Sequence, residues 1–282
     1  MFHHTLGAMN TRFSMVLPAV HERDGMALAR TTQALLREQE LMMSRFIPEG
    51  DLATLNRAAA RGPAPVPDRL WQVLETCRRH HRLTAGAFDI AQGARRRGHG
   101  MDLLHFDAAA RTLHFGQQDV QLDLGGIGKG MALDAVRQHL SDRGVEQALL
   151  SFGESSVSVI GAHPAGDCWP IGVEHLYEQG RSLHRFALRD AAMSTSGNRD
   201  GQAHIVIPAS GELVEGCKTM SVTCASAADA EALSTALFVL PAARRAGVLR
   251  NYPGAQAVEI AYLKQDLKPD ARWTAEKRWQ HE

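Results

Sequence analysis

A strand-like segment runs into a cluster of glycines and then into a helical pattern, with a lysine inside the cluster. Four glycines lie within residues 125–130 around Lys129, and helical spacing of apolar residues begins at Met131. Glycine lets the backbone approach a ligand closely, and the N-terminus of a helix favours an anion. The segment is therefore a candidate phosphate site. A tight strand-to-helix turn with an incidental lysine is the alternative.

Two common phosphate-binding loops do not fit this spacing. A P-loop requires glycine where Asp123 stands and serine or threonine where Gly130 stands. A dinucleotide-binding fingerprint requires Gly-x-Gly-x-x-Gly, and the glycines here are spaced differently. The cluster thus indicates another kind of anion site, if it binds one.

A carboxylate and a hydroxyl are placed four residues apart near the C-terminal third of the chain. Glu231 and Thr235 would share one face of a helix. Oxygen ligands of these two types suit a hard cation such as Mg²⁺, which also keeps positions for phosphate or water. An amphipathic helix with a polar edge explains the same spacing without a metal.

Two other segments carry groups that could do chemistry. Phe88 and Asp89 follow a Thr-Ala-Gly turn, which fits either a binding loop or a buried aromatic beside a capping aspartate. His204 opens an apolar run and could act as a general base, since the pKa of free histidine lies near neutrality. One histidine among 14 is weak evidence by itself.

The pattern of apolar residues predicts the elements that must position these groups. Helices are predicted over residues 25–42, 52–55, 68–83, 131–143 and 227–240, and strands over residues 11–17, 113–124, 148–161, 168–173, 184–188, 204–207 and 220–224. Strands mixed with helices in this way predict an α+β fold with a mixed, mostly antiparallel sheet and flanking helices. We expect one domain over residues 1–264, followed by a polar C-terminal tail over residues 265–282.

Composition excludes several classes of protein. The 282 residues carry 31 basic and 31 acidic side chains, so no net positive charge favours nucleic-acid binding. No apolar run approaches the roughly 18 residues of a membrane helix, and polar residues interrupt the first 20 positions, so we expect neither a membrane anchor nor a signal peptide. The four cysteines are far apart and form no zinc pattern. These features predict a cytoplasmic protein.

Seven segments, taken in order, resemble the ApbE family of FAD:protein FMN transferases. They are Met9-Asn10-Thr11, the segment from Ser44-Arg45-Phe46 to Leu55-Asn56, Gly86-Ala87-Phe88-Asp89, Asp123-Leu124-Gly125-Gly126-Ile127-Gly128-Lys129-Gly130, Thr195-Ser196-Gly197, His204-Ile205-Val206 and Leu233-Ser234-Thr235-Ala236-Leu237. The resemblance extends from Met9 to about Leu240. It implies a T-fold-related single domain that binds FAD and Mg²⁺. It further implies attachment of FMN to a Ser or Thr of an acceptor flavoprotein, with release of AMP.

The resemblance also implies roles for individual residues. The FAD site would be lined by Met9, Phe46, Ala87, Phe88, Asp89, Asp123, Lys129 and Ile205. Gly126 through its backbone carbonyl, Glu231 and Thr235 would be the metal ligands. His204 would be the catalytic base.

Two of the positions that depart from the family pattern bear on activity. Glu231 stands where the family usually has aspartate, and Ile207 replaces an aspartate in the segment after His204. These departures motivate a second hypothesis, in which the chain is a non-transferring FAD-binding homologue or an FAD pyrophosphatase.

Overall fold

Helices pack mainly on one face of a large antiparallel sheet. The computed structural model describes residues 1–92, 100–153, 155–199, 203–265 and 272–279. The helices are α1 (Glu22–Met43), α2 (Asp51–Ala59), α3 (Asp68–Leu83), α4 (Gly128–Ser141), α5 (Ala227–Val239) and α6 (Ala242–Leu249), with a short 3₁₀ helix at Met101–Leu103. The strands are β1 (Phe2–Ala8), β2 (Thr11–Leu17), β3 (Ala64–Pro65), β4 (Ala91–Gln92), β5 (Leu104–Asp107), β6 (Thr112–Phe115), β7 (Gln121–Leu122), β8 (Ala148–Phe152), β9 (Ser156–Ile160), β10 (Trp169–Glu174), β11 (Ser182–Leu188), β12 (Ala192–Asn198), β13 (Lys218–Cys224), β14 (Gln256–Gln265) and β15 (Arg272–Trp279).

The large sheet takes strands from both ends of the chain. Its eight strands lie in the order β1-β2-β8-β9-β12-β13-β14-β15, and each neighbouring pair is antiparallel. Three small sheets, β3-β6-β5, β4-β7 and β10-β11, surround it. The α+β fold with a mostly antiparallel sheet that the sequence predicts is confirmed.

Alternation along the strands separates two hydrophobic layers, because successive side chains of a strand point to opposite faces. On one face, α1 and α4 pack against β1, β2 and β8, while α2, α3 and α5 enclose a second cluster with β13. On the other face, the β10-β11 hairpin buries Trp169 and Phe186 against Val157, Val159 and Met193. The helical layer is the one that carries the glycine cluster.

Local sequence accounts for several of these elements directly. In α3, Leu70, Val73, Leu74 and Cys77 are buried at helical spacing. Acidic Asp68 lies in its first turn, and basic residues occupy its last turn, so charges at both ends complement the helix dipole. The bounds of α3 and β2 are those predicted from the sequence.

Helix α4 begins earlier than predicted. The apolar pattern predicts a start at Met131, but the helix begins at Gly128, so Lys129 and Gly130 belong to its first turn. A Cβ atom on Gly130 would collide with the backbone of Ala227. The glycine therefore lets α4 and α5 approach closely, and this long-range contact compensates for its low helix propensity.

The strand predicted over residues 204–207 is wrong. That segment forms only an isolated bridge between Val206 and Leu213. Pro208, which has no N–H group, and Gly211, which has a φ of +74°, turn the chain back on itself. A turn therefore replaces the expected strand.

Part of the predicted polar tail is a strand. Residues of β15 pair with β14 from Val258 to Gln265, which covers an edge that would otherwise be unpaired. Residues 266–271 and 280–282 of the predicted tail lie outside the described residues. Among the residues that the structure describes, none of the helices combines the length and the apolar character needed to cross a membrane.

Candidate functional site

The glycine cluster is anchored on both sides by hydrogen bonds to distant segments. The Asn56 side chain donates to the carbonyl of Leu122 (3.0 Å) and accepts from its N–H (2.8 Å). The Asp123 N–H donates to the Ile90 carbonyl (2.8 Å). These contacts hold the chain in place immediately before the glycines, although the sequence analysis gave Asn56 no role.

Asp123 is bound on one side to the turn and on the other to an arginine. One carboxylate oxygen accepts from the Gly125 N–H (2.8 Å), and the other forms an ion pair with the Arg45 Nε (3.0 Å). The Arg45 guanidinium also lies 4.5 Å from the centre of the Phe46 ring, which is 77% exposed. The predicted residues Asp123 and Phe46 are thus linked through Arg45, which the sequence analysis did not assign to the site.

The side chains of two other predicted residues lie near the glycines. Met9 lies in the two-residue turn between β1 and β2 with a φ of 51°, and its methyl group would be 3.4 Å from a Cβ on Gly128. A Cβ on Gly126 would lie 3.6 Å from the buried Phe88 ring. The backbone of Gly128 therefore lies near Met9, and the backbone of Gly126 lies near Phe88.

Glu231 and Thr235 reach the same place from α5. The Lys129 Nζ lies 2.5 Å from one Glu231 oxygen, and the other oxygen accepts from the Gly130 N–H. A Cβ on Gly126 would lie 3.7 Å from the Thr235 hydroxyl. Glu231 and Thr235 thus lie one turn apart on α5, and their role as metal ligands stays a prediction.

Serine hydroxyls extend this cluster. Ser196, on β12, lies 3.2 Å from the Thr235 hydroxyl and 2.9 Å from the Ser234 hydroxyl. Ser196 belongs to a segment that the resemblance singled out, but the sequence analysis assigned it no role. The site therefore gathers a carboxylate, an ammonium group and several hydroxyls within the helical layer.

Asp89 is turned toward backbone rather than toward the glycines. Its side chain is 6% exposed and accepts from the Ala91 N–H (2.7 Å) and the Met101 N–H (3.0 Å). Burial raises the pKa of this carboxyl, and the two N–H donors act in the opposite direction. Asp89 thus shapes the loop that carries buried Ala87 and Phe88, and its role in FAD binding stays a prediction.

Asp229, two residues before Glu231, belongs to a different cluster. Its carboxylate forms an ion pair with Arg79 (2.6 Å) and contacts the Nε2 of buried His80 (3.3 Å). Burial would raise the pKa of Asp229, but the hydrogen bond from His80 and the nearby Arg79 charge outweigh it and hold that pKa below its usual value. This carboxylate ties α3 to α5.

His204 and Ile205 lie on the segment that turns at Pro208. Ile205 is half-buried against the hydrophobic cluster of α2, α3 and α5, whereas His204 is exposed. Their roles as general base and as FAD contact stay predictions.

The α4–α5 pair is closed by reciprocal caps. Asp134, on α4, accepts from the N–H groups of Ala227 and Ala228 at the start of α5 (2.9 and 3.0 Å). Glu231, on α5, accepts from Gly130 at the start of α4. Neither helix supplies all of its own capping groups, so each depends on a carboxylate of the other.

Comparison with known proteins identifies the family. The sequence model of the ApbE family matches residues 9–259. The chain is similar to the FAD:protein FMN transferase of Treponema pallidum, at 28% identity over 80% of this chain and 75% of that protein. It is also similar to the FAD:protein FMN transferase of Vibrio cholerae, at 26% identity over 86% of this chain and 81% of that protein.

Solved structures show the same fold. The flavin transferase ApbE from Vibrio cholerae superposes with a TM-score of 0.79 at 22% identity, covering 98% of this chain and 96% of that one. The ApbE protein from Thermotoga maritima gives a TM-score of 0.80 at 20% identity, covering 92% and 94%. The chain therefore belongs to the ApbE family.

Proposed function

We propose that the chain is an FAD:protein FMN transferase that uses Mg²⁺ and attaches FMN to a Ser or Thr of an acceptor flavoprotein. The observation that carries this proposal is the convergence of Lys129, Glu231, Thr235 and the bare backbone of Gly126 at the start of α4. Relatives that match most of the chain are named for this activity.

The start of α4 suits a pyrophosphate. The glycines leave backbone open to close approach, and the positive end of the helix dipole favours an anion. The Lys129 side chain is 25% exposed, so its charge can reach a bound phosphate. We assign Lys129 and the Gly125–Gly128 backbone to the phosphates of FAD.

The rings of FAD have apolar partners nearby. Met9 lies near Gly128, Phe88 lies near Gly126, and Phe46 offers an exposed aromatic face beside Arg45. Aromatic and thioether side chains bind planar rings through dispersion and stacking. We assign Met9 and Phe46 to the flavin nucleotide.

The donor set beside Lys129 fits a hard divalent cation. In the described part of the chain, no group of three or more His, Cys, Asp and Glu side chains is placed to hold a metal ion. A cation here would depend on one carboxylate, Glu231, with the Thr235 hydroxyl, the Gly126 carbonyl and phosphate oxygens of FAD. When bound, Mg²⁺ supplies stabilisation of negative charge on the phosphate oxygens.

The transfer step breaks and forms one bond at phosphorus. The acceptor hydroxyl oxygen bonds to the FMN phosphorus, the bond from that phosphorus to the AMP oxygen breaks, and AMP leaves with the electron pair. His204 accepts the proton of the hydroxyl. Lys129 holds the phosphates in line by its positive charge.

The test combines the purified protein with FAD, Mg²⁺ and a protein extract of its own cells. We expect AMP in solution and one or more denatured protein bands with flavin fluorescence and the added mass of FMN. AMP without labelled protein would instead indicate an FAD pyrophosphatase, as the loss of aspartate at Ile207 suggests. FAD binding with neither product would indicate a non-transferring homologue. The predicted cytoplasmic location stays a prediction.

A further inference from the structure

The Glu231 carboxylate is saturated by two groups of the neighbouring helix. Its side chain is 4% exposed, one oxygen pairs with the Lys129 ammonium at 2.5 Å, and the other accepts from the Gly130 N–H. A buried carboxylate requires compensation of its charge, because burial without a partner is costly. Lys129 supplies that compensation in the protein by itself.

The two partners of Glu231 differ in mobility. The Gly130 N–H is part of the backbone of α4 and holds one oxygen in place. The Lys129 ammonium sits at the end of a flexible side chain that is 25% exposed. One partner can therefore leave while the carboxylate keeps its position.

In the proposed function, each member of this ion pair binds another partner. That function assigns Glu231 to a divalent cation and Lys129 to the phosphates of FAD. If the Lys129 ammonium stayed on the Glu231 oxygen while a divalent cation coordinated that same oxygen, the two positive charges would repel each other. The pair must therefore open when the site is loaded.

We propose that Lys129 is a built-in counterion of Glu231 that competes with the divalent cation and is released to the substrate phosphates when the cation binds. This inference rests on the proposed function, since that function places a cation at Glu231. It adds an exchange step: the incoming metal replaces the ammonium at Glu231, and the ammonium moves to the anion.

The glutamate at this position fits the exchange. Glu231 carries one methylene more than the aspartate usual in the family, and it spans from α5 to the Gly130 N–H and to Lys129 at once. The close approach of α4 and α5 at Gly130 brings these groups within reach. A carboxylate fixed at one oxygen leaves the other oxygen as the point of exchange.

The exchange couples the metal to the nucleotide. A cation that frees Lys129 raises the affinity for an anion, and by linkage the anion raises the affinity for the cation by the same factor. We expect Mg²⁺ to increase the affinity for FAD and FAD to increase the affinity for Mg²⁺.

The decisive experiment measures Mn²⁺ binding by electron paramagnetic resonance of free Mn²⁺, without FAD or acceptor. Lys129→Met removes the competing charge and should bind Mn²⁺ about tenfold more tightly than wild type. The double variant Lys129→Met/Glu231→Gln lacks the carboxylate and should lose this gain. Asp134→Asn, which removes the reciprocal cap on the start of α5, should bind Mn²⁺ as wild type does.

A second variant guards against misfolding of Lys129→Met. Lys129→Arg keeps the positive charge and holds a carboxylate more firmly through its planar fork, so it should bind Mn²⁺ more weakly than wild type. Lys129→Met binding equal to or weaker than wild type, or Lys129→Arg binding tighter, overturns the inference. If Lys129→Met does not fold, the Lys129→Arg variant decides. Mn²⁺ binding by Lys129→Arg that equals wild type would then also overturn the inference.

Failure of this inference is distinguishable from failure of the proposed function. A protein that labels an acceptor but shows no gain in Mn²⁺ binding in Lys129→Met retains the function and loses the exchange. A protein that labels nothing but shows the gain retains the exchange and loses the function.

Discussion

Each N-terminus of the α4–α5 pair is closed by a carboxylate of the opposite helix, but Asp134 and Glu231 have different partners. Asp134 is held by three donors from the start of α5, namely the Ser226 hydroxyl (2.7 Å) and the N–H groups of Ala227 and Ala228 (2.9 and 3.0 Å). Glu231 has one backbone donor and one lysine. Asp134 is thus held by groups at the start of α5, whereas Glu231 depends on the charge of a mobile lysine side chain.

The groups around the two carboxylates also differ. Arg137, from the helix of Asp134 itself, approaches Asp134 at 3.4 Å. Glu231 lies one helical turn before Thr235, whose hydroxyl is the group near the bare backbone of Gly126. Asp134, held by backbone and hydroxyl caps, fastens α4 to α5, whereas Glu231 has a single backbone donor and depends on a lysine for the rest of its compensation.

The largest expected effect is on transfer by Glu231→Gln. This change keeps the side-chain shape and removes the charge, so transfer should fall about 100-fold through loss of metal affinity. Initial rates of FMN transfer measured across a range of Mg²⁺ concentrations test this. A half-maximal Mg²⁺ concentration equal to that of wild type would show that Glu231 is a cap only, like Asp134.

Asp134→Asn should affect stability instead. Loss of a charged cap that receives three donors should lower the free energy of unfolding by about 2 kcal/mol. Urea unfolding measures this loss, and FAD affinity of the folded variant should match wild type. Weakened FAD binding with an unchanged free energy of unfolding would show that Asp134 serves ligand binding rather than the fold.

Thr235→Val tests the hydroxyl next to Glu231. The change keeps the volume and removes the oxygen, so the half-maximal Mg²⁺ concentration should rise about tenfold. Thr235→Ser, which restores the oxygen, is the matched control and should stay near wild type. Equal behaviour of the Val and Ser variants would exclude the hydroxyl as a ligand.

The smallest effect is expected for Glu231→Asp. The charge remains, but the shorter side chain loses its reach to the Gly130 N–H, which should cost about 1 kcal/mol of stability. Transfer should stay within about threefold of wild type, because the carboxylate that the proposed function assigns to the cation is retained. Thermal unfolding and transfer rates together separate the capping role of Glu231 from its role toward the cation. If Glu231→Asp lowered transfer more than Glu231→Gln does, both the capping role and the role toward the cation would be contradicted.

Local pattern was sufficient for much of the fold. The bounds of α3 and β2, the existence of α1, α4 and α5, and the helical spacing of Glu231 and Thr235 follow from apolar periodicity and end charges within a few residues. The edge strands β1 and β15 were not predicted. Histidines interrupt the apolar pattern of β1, and both edge strands depend on pairing with a neighbour.

The sequence by itself determined which chemical groups are available: a glycine-rich turn with Lys129, a carboxylate and a hydroxyl one helical turn apart, and the order of segments that identifies the family. Tertiary structure alone decided their partners. Lys129 and Glu231 are 102 residues apart, and their ion pair exists because Gly130 allows α4 and α5 to approach. Asp89, chosen for its carboxylate, accepts from the N–H groups of Ala91 and Met101, partners that the sequence did not predict. Periodicity reports only on neighbours along the chain, whereas the charge state and freedom of a buried carboxylate depend on groups that folding brings from elsewhere.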